Sequence, residues 1–296
     1  MARLVFFGNE RLVSGLQHTN APVLRRLIEQ GYDIRAVVSH HTDSRSRTNR
    51  PLEVAEIATS HNIPVLLPEK PSEIIEQLHS FEAEAAVLVA YGKIIPQSVI
   101  DIFPSGIINL HPSLLPRWRG PTPIESTIVS GDTTAGVSIM QLATAMDAGP
   151  VHAQSLIQLT GAETKFDLYT ALAEAGTDLL LTNLPAILDG SLLPKPQDED
   201  GVTYCQLLTK QDSLLDPDQL SADEAERRIR AYLGFPKTKL VIAGQAVIVT
   251  KAHVASEAKT PLDMVFKNNS ILSIDELIAP SGKLVSTEAF INGYLR

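Results

Sequence analysis

The sequence has one cysteine and one tryptophan in 296 residues. A lone Cys205 excludes an intrachain disulfide, which suits a reducing compartment, and a cytoplasmic protein is the expectation. No apolar run approaches the roughly 20 residues that a membrane-spanning helix needs. The opening MARLVFFGNE has a short apolar stretch with no small-residue cleavage site after it, so it reads as a first strand rather than a signal peptide. No set of His, Cys and carboxylates stands at ligand spacing, and the adjacent His40 and His41 do not make one, so no metal is expected. An excess of positive charge is also lacking. The net charge of −9 argues against a general nucleic-acid binder, which must neutralise phosphates with Lys and Arg. That deficit is uneven: residues 205–296 hold 11 Lys+Arg and 11 Asp+Glu, so the whole negative excess falls before residue 205. Within the acidic part, Arg45, Arg47 and Arg50 form a local basic island.

Apolar side chains are present in quantity. At 44 % hydrophobic and 20 % charged, the chain can bury a sizeable core. Its length suits one large domain and a smaller one, at roughly 100–200 residues per domain. Strand-like runs at Arg3–Phe7, Asp33–Ser39, Pro64–Leu67, Ala85–Ala90 and Gly106–Leu110 alternate with helical patterns at Ala21–Gln30, Pro51–His61 and Ser72–Ser80. This order predicts an α/β fold with a doubly wound, mostly parallel sheet. A long helix is expected over Thr164–Leu188, capped by Thr164 and ended near Gly190. The Pro- and acid-rich LLPKPQDEDG that follows reads as a linker. Beyond it come one helix (Ser221–Leu233) and short β-rich pieces at Thr238–Ile242, Ala246–Ala255, Ser270–Ile274 and Lys283–Ser286, the pattern of a small barrel. We therefore divide the chain into a catalytic domain at 1–190, a linker at 191–204 and a C-terminal domain at 205–296.

The chemistry concentrates in GIINLHPSLLPRWRG and the stretch after it. Alternation along a strand points Asn109 and His111 to one face, at the carboxyl edge of the sheet, where open α/β folds bind ligands. Pro112 stops further pairing at its own nitrogen. An amide and an imidazole aimed into one cleft suit acyl transfer, because both can donate a hydrogen bond to an oxygen that gains negative charge. One such donor is typically worth about 3–4 kcal/mol of barrier. Asp147 follows a second apolar run and is expected at a second strand end. A nearby carboxylate favours the charged form of an imidazole, and it can also take an amine proton directly or through water. Each of these residues alone has a plain structural reading: a His after a strand, an Asp in a turn. Ser113 lacks the Gly-x-Ser-x-Gly elbow and is not read as a nucleophile. Trp118, Arg117, Arg119 and Tyr91 each fit either packing or binding.

In combination, Asn109-x-His111-Pro-Ser113-Leu114-Leu115-Pro116, then Arg119-Gly120, then Asp147-x-Gly149, resembles the signature of the folate-dependent formyltransferases. Val89–Pro96 (VAYGKIIP) and Ala135–Gln141 (AGVSIMQ) are similar to further stretches of that family, and the likeness runs along the whole chain. The resemblance implies Asn109, His111 and Asp147 as catalytic residues. It implies Ser113, Leu114, Leu115 and Pro116, with Ala90, Tyr91 and Gly92, at the folate site. The co-substrate would be 10-formyltetrahydrofolate. The C-terminal domain would be an OB-like barrel, of the oligonucleotide-binding kind. The likeness is greatest to members that formylate charged tRNA, which implies initiator methionyl-tRNA as the amine, in translation initiation, and a monomer without a membrane partner. Arg45, Arg47 and Arg50 then stand where the family has a basic loop facing tRNA. The sequence departs from the family at Gly8-Asn9-Glu10 and Leu233–Lys237, and in its neutral C-terminal domain. Three other functions share these residues or part of them: an N-formyltransferase for a sugar nucleotide or another small amine, a hydrolase that deformylates the folate, and a binding module without turnover.

Overall fold

The structure is a computed structural model that describes residues 2–16, 18–40 and 52–295. Its larger, N-terminal part alternates strands and helices: β1 (Arg3–Gly8), α1 (Pro22–Glu29), β2 (Asp33–Val38), α2 (Glu53–Ser60), β3 (Val65–Leu66), α3 (Ile75–Ser80), β4 (Ala85–Val89), α4 (Gln97–Ile100), β5 (Ile107–His111), α5 (Pro123–Ser130), β6 (Thr134–Gln141), β7 (Val151–Gln158) and α6 (Lys165–Leu188). The seven strands form one sheet in the order β3-β2-β1-β4-β5-β6-β7. β1 to β5 are parallel, whereas β6 and β7 pair antiparallel.

The parallel strands are buried on both faces, which is why they read as continuous apolar runs. Leu4 and Phe6 of β1 join one core with residues of α1, α2, α5 and α6. Val5 and Phe7 join the other with Leu78 of α3 and Val99 of α4. Gly8 closes β1 with φ 136°, and a Cβ there would lie 1.8 Å from the Val89 carbonyl oxygen, so this position requires glycine. β7 is an edge strand, opposite β3; its sequence, VHAQSLIQ, is too mixed to have been read as a strand. Thr164 caps α6 as expected: its hydroxyl accepts the Asp167 N–H, and the Asp167 carboxylate accepts the Thr164 N–H.

The C-terminal part comprises α7 (Ala222–Ala231), β8 (Thr238–Ile242), β9 (Gln245–Ala255), β10 (Asp263–Val265), β11 (Ile271–Ile278), β12 (Leu284–Ser286) and α8 (Thr287–Tyr294). The strands form a curled antiparallel sheet, β10-β11-β9-β8 with β12 on β11, around its own core of Ile229, Val249, Leu272 and Phe290 among others. The fold is thus a doubly wound α/β sheet followed by an OB-like barrel. The reading missed α8, and it stopped β11 four residues early, at Ile274.

Buried charge lies where the two parts meet. Lys165 Nζ donates to the Phe235 carbonyl at 3.0 Å and the Ser14 hydroxyl at 3.2 Å, and lies 3.5 Å from the Glu125 carboxylate. Both charged side chains are buried. Burial pushes the Glu125 carboxyl up and the Lys165 ammonium down, each toward its neutral form. Among the described residues, no helix is long and apolar enough to cross a membrane.

Candidate active site

β5 delivers two polar side chains to one face. Ile108 and Leu110 belong to the α1/α6 core and Ile107 to the α3/α4 core. Alternation therefore sends Asn109 and His111 to the α3/α4 side. Both are buried. Asn109 makes no side-chain hydrogen bond among the described residues, which leaves its amide available to a ligand. One His111 nitrogen is hydrogen-bonded: Nε2 lies 3.0 Å from the Trp118 carbonyl, while Nδ1 lies 3.7 Å from Oδ2 of Asp147, within ion-pair distance but beyond a hydrogen bond. With a carbonyl as its acceptor, Nε2 carries a hydrogen, and Nδ1 is left to face the carboxylate.

Asp147 does not come from a second strand end, as expected from sequence. β6 runs opposite to β5, and its last residue, Gln141, pairs with Ile108 near the start of β5. The loop 142–150 must therefore fold back over the sheet face to bring Asp147 to His111. Several contacts hold it there. The Asp147 backbone is left-handed at φ 47°. Its Oδ2 accepts the Gly120 N–H at 2.8 Å. The Gln197 amide donates to the carbonyls of Asp147 and Gly149, at 2.8 and 2.7 Å. Gly149 packs so closely that a Cβ would lie 1.8 Å from the Gln141 carbonyl oxygen.

The turn Ser113–Pro116, which includes a cis Leu115–Pro116 bond, is anchored from the neighbouring strands. His111 pairs with Ser138 of β6, and Ser138 with Gln154 of β7. The Ser138 hydroxyl donates to the Ser113 carbonyl at 2.6 Å and accepts the Leu115 N–H at 3.0 Å. Gln154 donates to the Leu115 carbonyl at 2.9 Å. The Ser113 side chain turns inward to the Arg117 carbonyl, at 2.6 Å. Leu114 lies against Gly136, where a Cβ would come within 2.4 Å of its side chain. At the end of the adjacent β4, Ala90 and Gly92 both have positive φ. Between them Tyr91 is buried edge-on against Phe7, and its hydroxyl has no partner among the described residues. Burial pushes that phenol up to about 12. The Tyr91 carbonyl accepts from His40 Nε2 at 2.5 Å.

Arg117 and Trp118, open to two readings in the sequence, are committed to one carboxylate. Arg117 donates to both oxygens of Asp132, Trp118 Nε1 donates to the same group at 2.8 Å, and the guanidinium lies over the indole. Burial alone would raise the Asp132 carboxyl, but the hydrogen bonds from Arg117 and Trp118 outweigh it and hold it below its usual value. Arg119 is buried and donates from Nε to the Gln197 side-chain oxygen at 3.0 Å. Arg45, Arg47 and Arg50 lie outside the described residues.

The sequence reading missed Gln197, Ser138 and Gln154. A single polar residue in an apolar strand hints at Ser138. Gln197 sits in a Pro- and acid-rich stretch that looks solvated. That stretch is tied down: Lys195 and Val151 exchange backbone hydrogen bonds at 2.8 Å, the Thr203 carbonyl accepts the Arg119 N–H, and Cys205 donates its N–H to the Arg119 carbonyl. The Cys205 thiol is buried, and burial pushes its ionisation up.

Comparison with known proteins gives the family. Residues 10–184 match the family described as formyl transferase. A methionyl-tRNA formyltransferase from Lactobacillus acidophilus is 35 % identical over 94 % of this chain and 93 % of its own length. Among solved structures, the N-formyltransferase from Helicobacter canadensis with folinic acid and dTDP-3-aminofucose superimposes with a TM-score of 0.69 at 15 % identity, covering 93 % of this chain and 99 % of that one. HypX from Aquifex aeolicus in complex with tetrahydrofolic acid gives 0.67 at 16 %, covering 100 % of this chain and 48 % of that one. At such identities these two likenesses are of fold. The matched residues and the near full-length similarity establish that the chain belongs to the formyl transferase family.

Proposed function

We propose that this protein transfers the formyl group of 10-formyltetrahydrofolate to the amino group of initiator methionyl-tRNA, the step that prepares the charged tRNA for translation initiation. The observation that carries the reading is a carboxylate 3.7 Å from an imidazole, on the sheet face that also presents the unpartnered amide of Asn109. The residues present suit a folate. The Tyr91 hydroxyl, unpartnered among the described residues, the positive-φ Ala90 and Gly92, and the anchored Ser113–Pro116 turn lie at the ends of neighbouring strands. When bound, 10-formyltetrahydrofolate supplies the formyl carbon as the electrophile.

In the reaction the formyl carbon passes from the folate nitrogen to the amine nitrogen; the amine loses a proton and the folate nitrogen gains one. Asn109 donates its N–H to the formyl oxygen as that oxygen takes on negative charge. His111 stands two residues further along the same face and, in its charged form, adds positive charge beside that oxygen. Asp147 takes the amine proton, directly or through a water. Gly120 and Gln197 keep the carboxylate loop in place meanwhile.

The tRNA substrate is supported by curated relatives named methionyl-tRNA formyltransferase, whose similarity extends into the OB-like barrel. Arg45, Arg47 and Arg50 are assigned to the tRNA on sequence grounds. The test is to supply 10-formyltetrahydrofolate with methionyl-tRNA, with amino-sugar nucleotides, or with no amine. Formylmethionyl-tRNA is the expected product. Formylation of amino sugars alone, or folate deformylation at full rate without an amine, overturns the reading. Replacing Arg45 and Arg47 by Ala is expected to raise the KM for methionyl-tRNA far more than that for folate.

A further inference from the structure

Asp147 holds a left-handed backbone at φ 47°, which aspartate adopts more readily than most non-glycine residues but which still needs its surroundings to hold it. Its loop, 142–150, contains no helix or strand that could do so. Besides the Gly120 N–H on its carboxylate, a contact on the backbone of this bend comes from far along the chain. Both distances from the Gln197 amide nitrogen, 2.8 Å to the Asp147 carbonyl and 2.7 Å to the Gly149 carbonyl, are those of good hydrogen bonds. The orientation of the amide is fixed from its other end, because its oxygen accepts Nε–H of Arg119 at 3.0 Å. Reversing the amide would set an oxygen against two carbonyls and a nitrogen against a guanidinium. Arg119 cannot drift: its side chain is 3 % exposed, and its backbone is bonded to Thr203 and Cys205 on the same segment.

We propose that Gln197 is a positioning residue for Asp147: it spans the two carbonyls that flank the bend and so sets the carboxylate against His111. The reaction site then includes a residue from the segment that joins the α/β sheet to the barrel. The inference rests on reading Asp147 as the proton acceptor.

The experiment uses the full chain with 10-formyltetrahydrofolate and methionyl-tRNA. It measures kcat, both KM values and Tm for Gln197→Leu, Gln197→Glu, Asp147→Asn and the double variant Gln197→Leu/Asp147→Asn. Gln197→Glu keeps the side-chain shape and an acceptor for Arg119 but, ionised, has no hydrogens for the carbonyls, and it serves if Gln197→Leu does not fold. Either single Gln197 change is expected to lower kcat at least about 10-fold, since small displacements of reacting groups cost that much or more. Each KM should stay within about 3-fold. On the Asp147→Asn background the added loss should be under about 3-fold, because the group being positioned is already gone. Unchanged kcat in the Gln197 variants, or an equal loss on both backgrounds, overturns this proposal alone. A wild-type rate for Asp147→Asn overturns the functional reading beneath it.

Discussion

Oδ2 of Asp147 lies 3.7 Å from Nδ1 of His111 and 2.8 Å from the backbone nitrogen of Gly120. One carboxylate oxygen therefore ties the β6–β7 loop both to the end of β5 and to the turn after the Ser113–Pro116 segment. Removing either side chain should affect the chemistry more than the fold, because neither belongs to an apolar core. His111→Ala and Asp147→Asn are each expected to lower kcat at least about 100-fold. Thermal melting should move by no more than a few degrees. Near wild-type turnover in either variant removes the assigned role.

Gly149 gives a test of the loop that leaves every reacting group intact. A Cβ there would meet the Gln141 carbonyl oxygen at 1.8 Å and its carbon at 3.0 Å. These are backbone atoms, so no rotamer change relieves the clash. Gly149→Ala should displace Asp147 and lower kcat about 10- to 100-fold, with circular dichroism unchanged. Full activity would show that the loop tolerates the shift.

Glu10 makes stability depend on pH. Its carboxylate accepts the N–H groups of Val23 and Leu24 at the start of α1, whose N-cap residue offers no side-chain cap. Burial outweighs those donors and pushes the carboxyl up to about 7, from 4.5. The folded state thus binds the proton more tightly than the unfolded one. The stabilisation is complete below about pH 4.5 and is lost as pH rises through about 7. At about 1.4 kcal/mol per pKa unit, the loss is about 3 kcal/mol. Denaturation free energies measured from pH 4 to 8 should show wild type losing about that much relative to Glu10→Gln. A pH-independent difference between the two proteins contradicts this.

The Lys165–Glu125 pair should be costly to halve and cheap to neutralise. Lys165→Met leaves a buried carboxylate facing no cation and should cost about 3–5 kcal/mol in urea denaturation. Adding Glu125→Gln should recover most of that loss. If the double variant is no more stable than Lys165→Met, the ion pair is not the source of the effect.

The strands and helices of the α/β part were legible because β1, β4 and β5 are buried on both faces and α6 is long and capped by Thr164. The pairing of Asn109 with His111 on one face followed from the two-residue period of a strand. The mixed sequence of β7 hid its pairing. The site's supporting residues were hidden for another reason: Gln197 acts through single hydrogen bonds across about fifty residues of sequence, and such contacts leave no periodic trace.

By itself, the sequence determined which side chains could do the chemistry and, apart from β7, α8 and the end of β11, most of the stretches that are strand or helix, because residue type and local periodicity are properties of neighbours along the chain. Only the tertiary structure decided that Asp147 reaches His111 by a loop folded back across an antiparallel strand, that Arg117 and Arg119 are spent on internal partners, and that the apparent linker grips the carboxylate loop. These are relations between distant segments, set by packing and by the need of buried polar groups for partners.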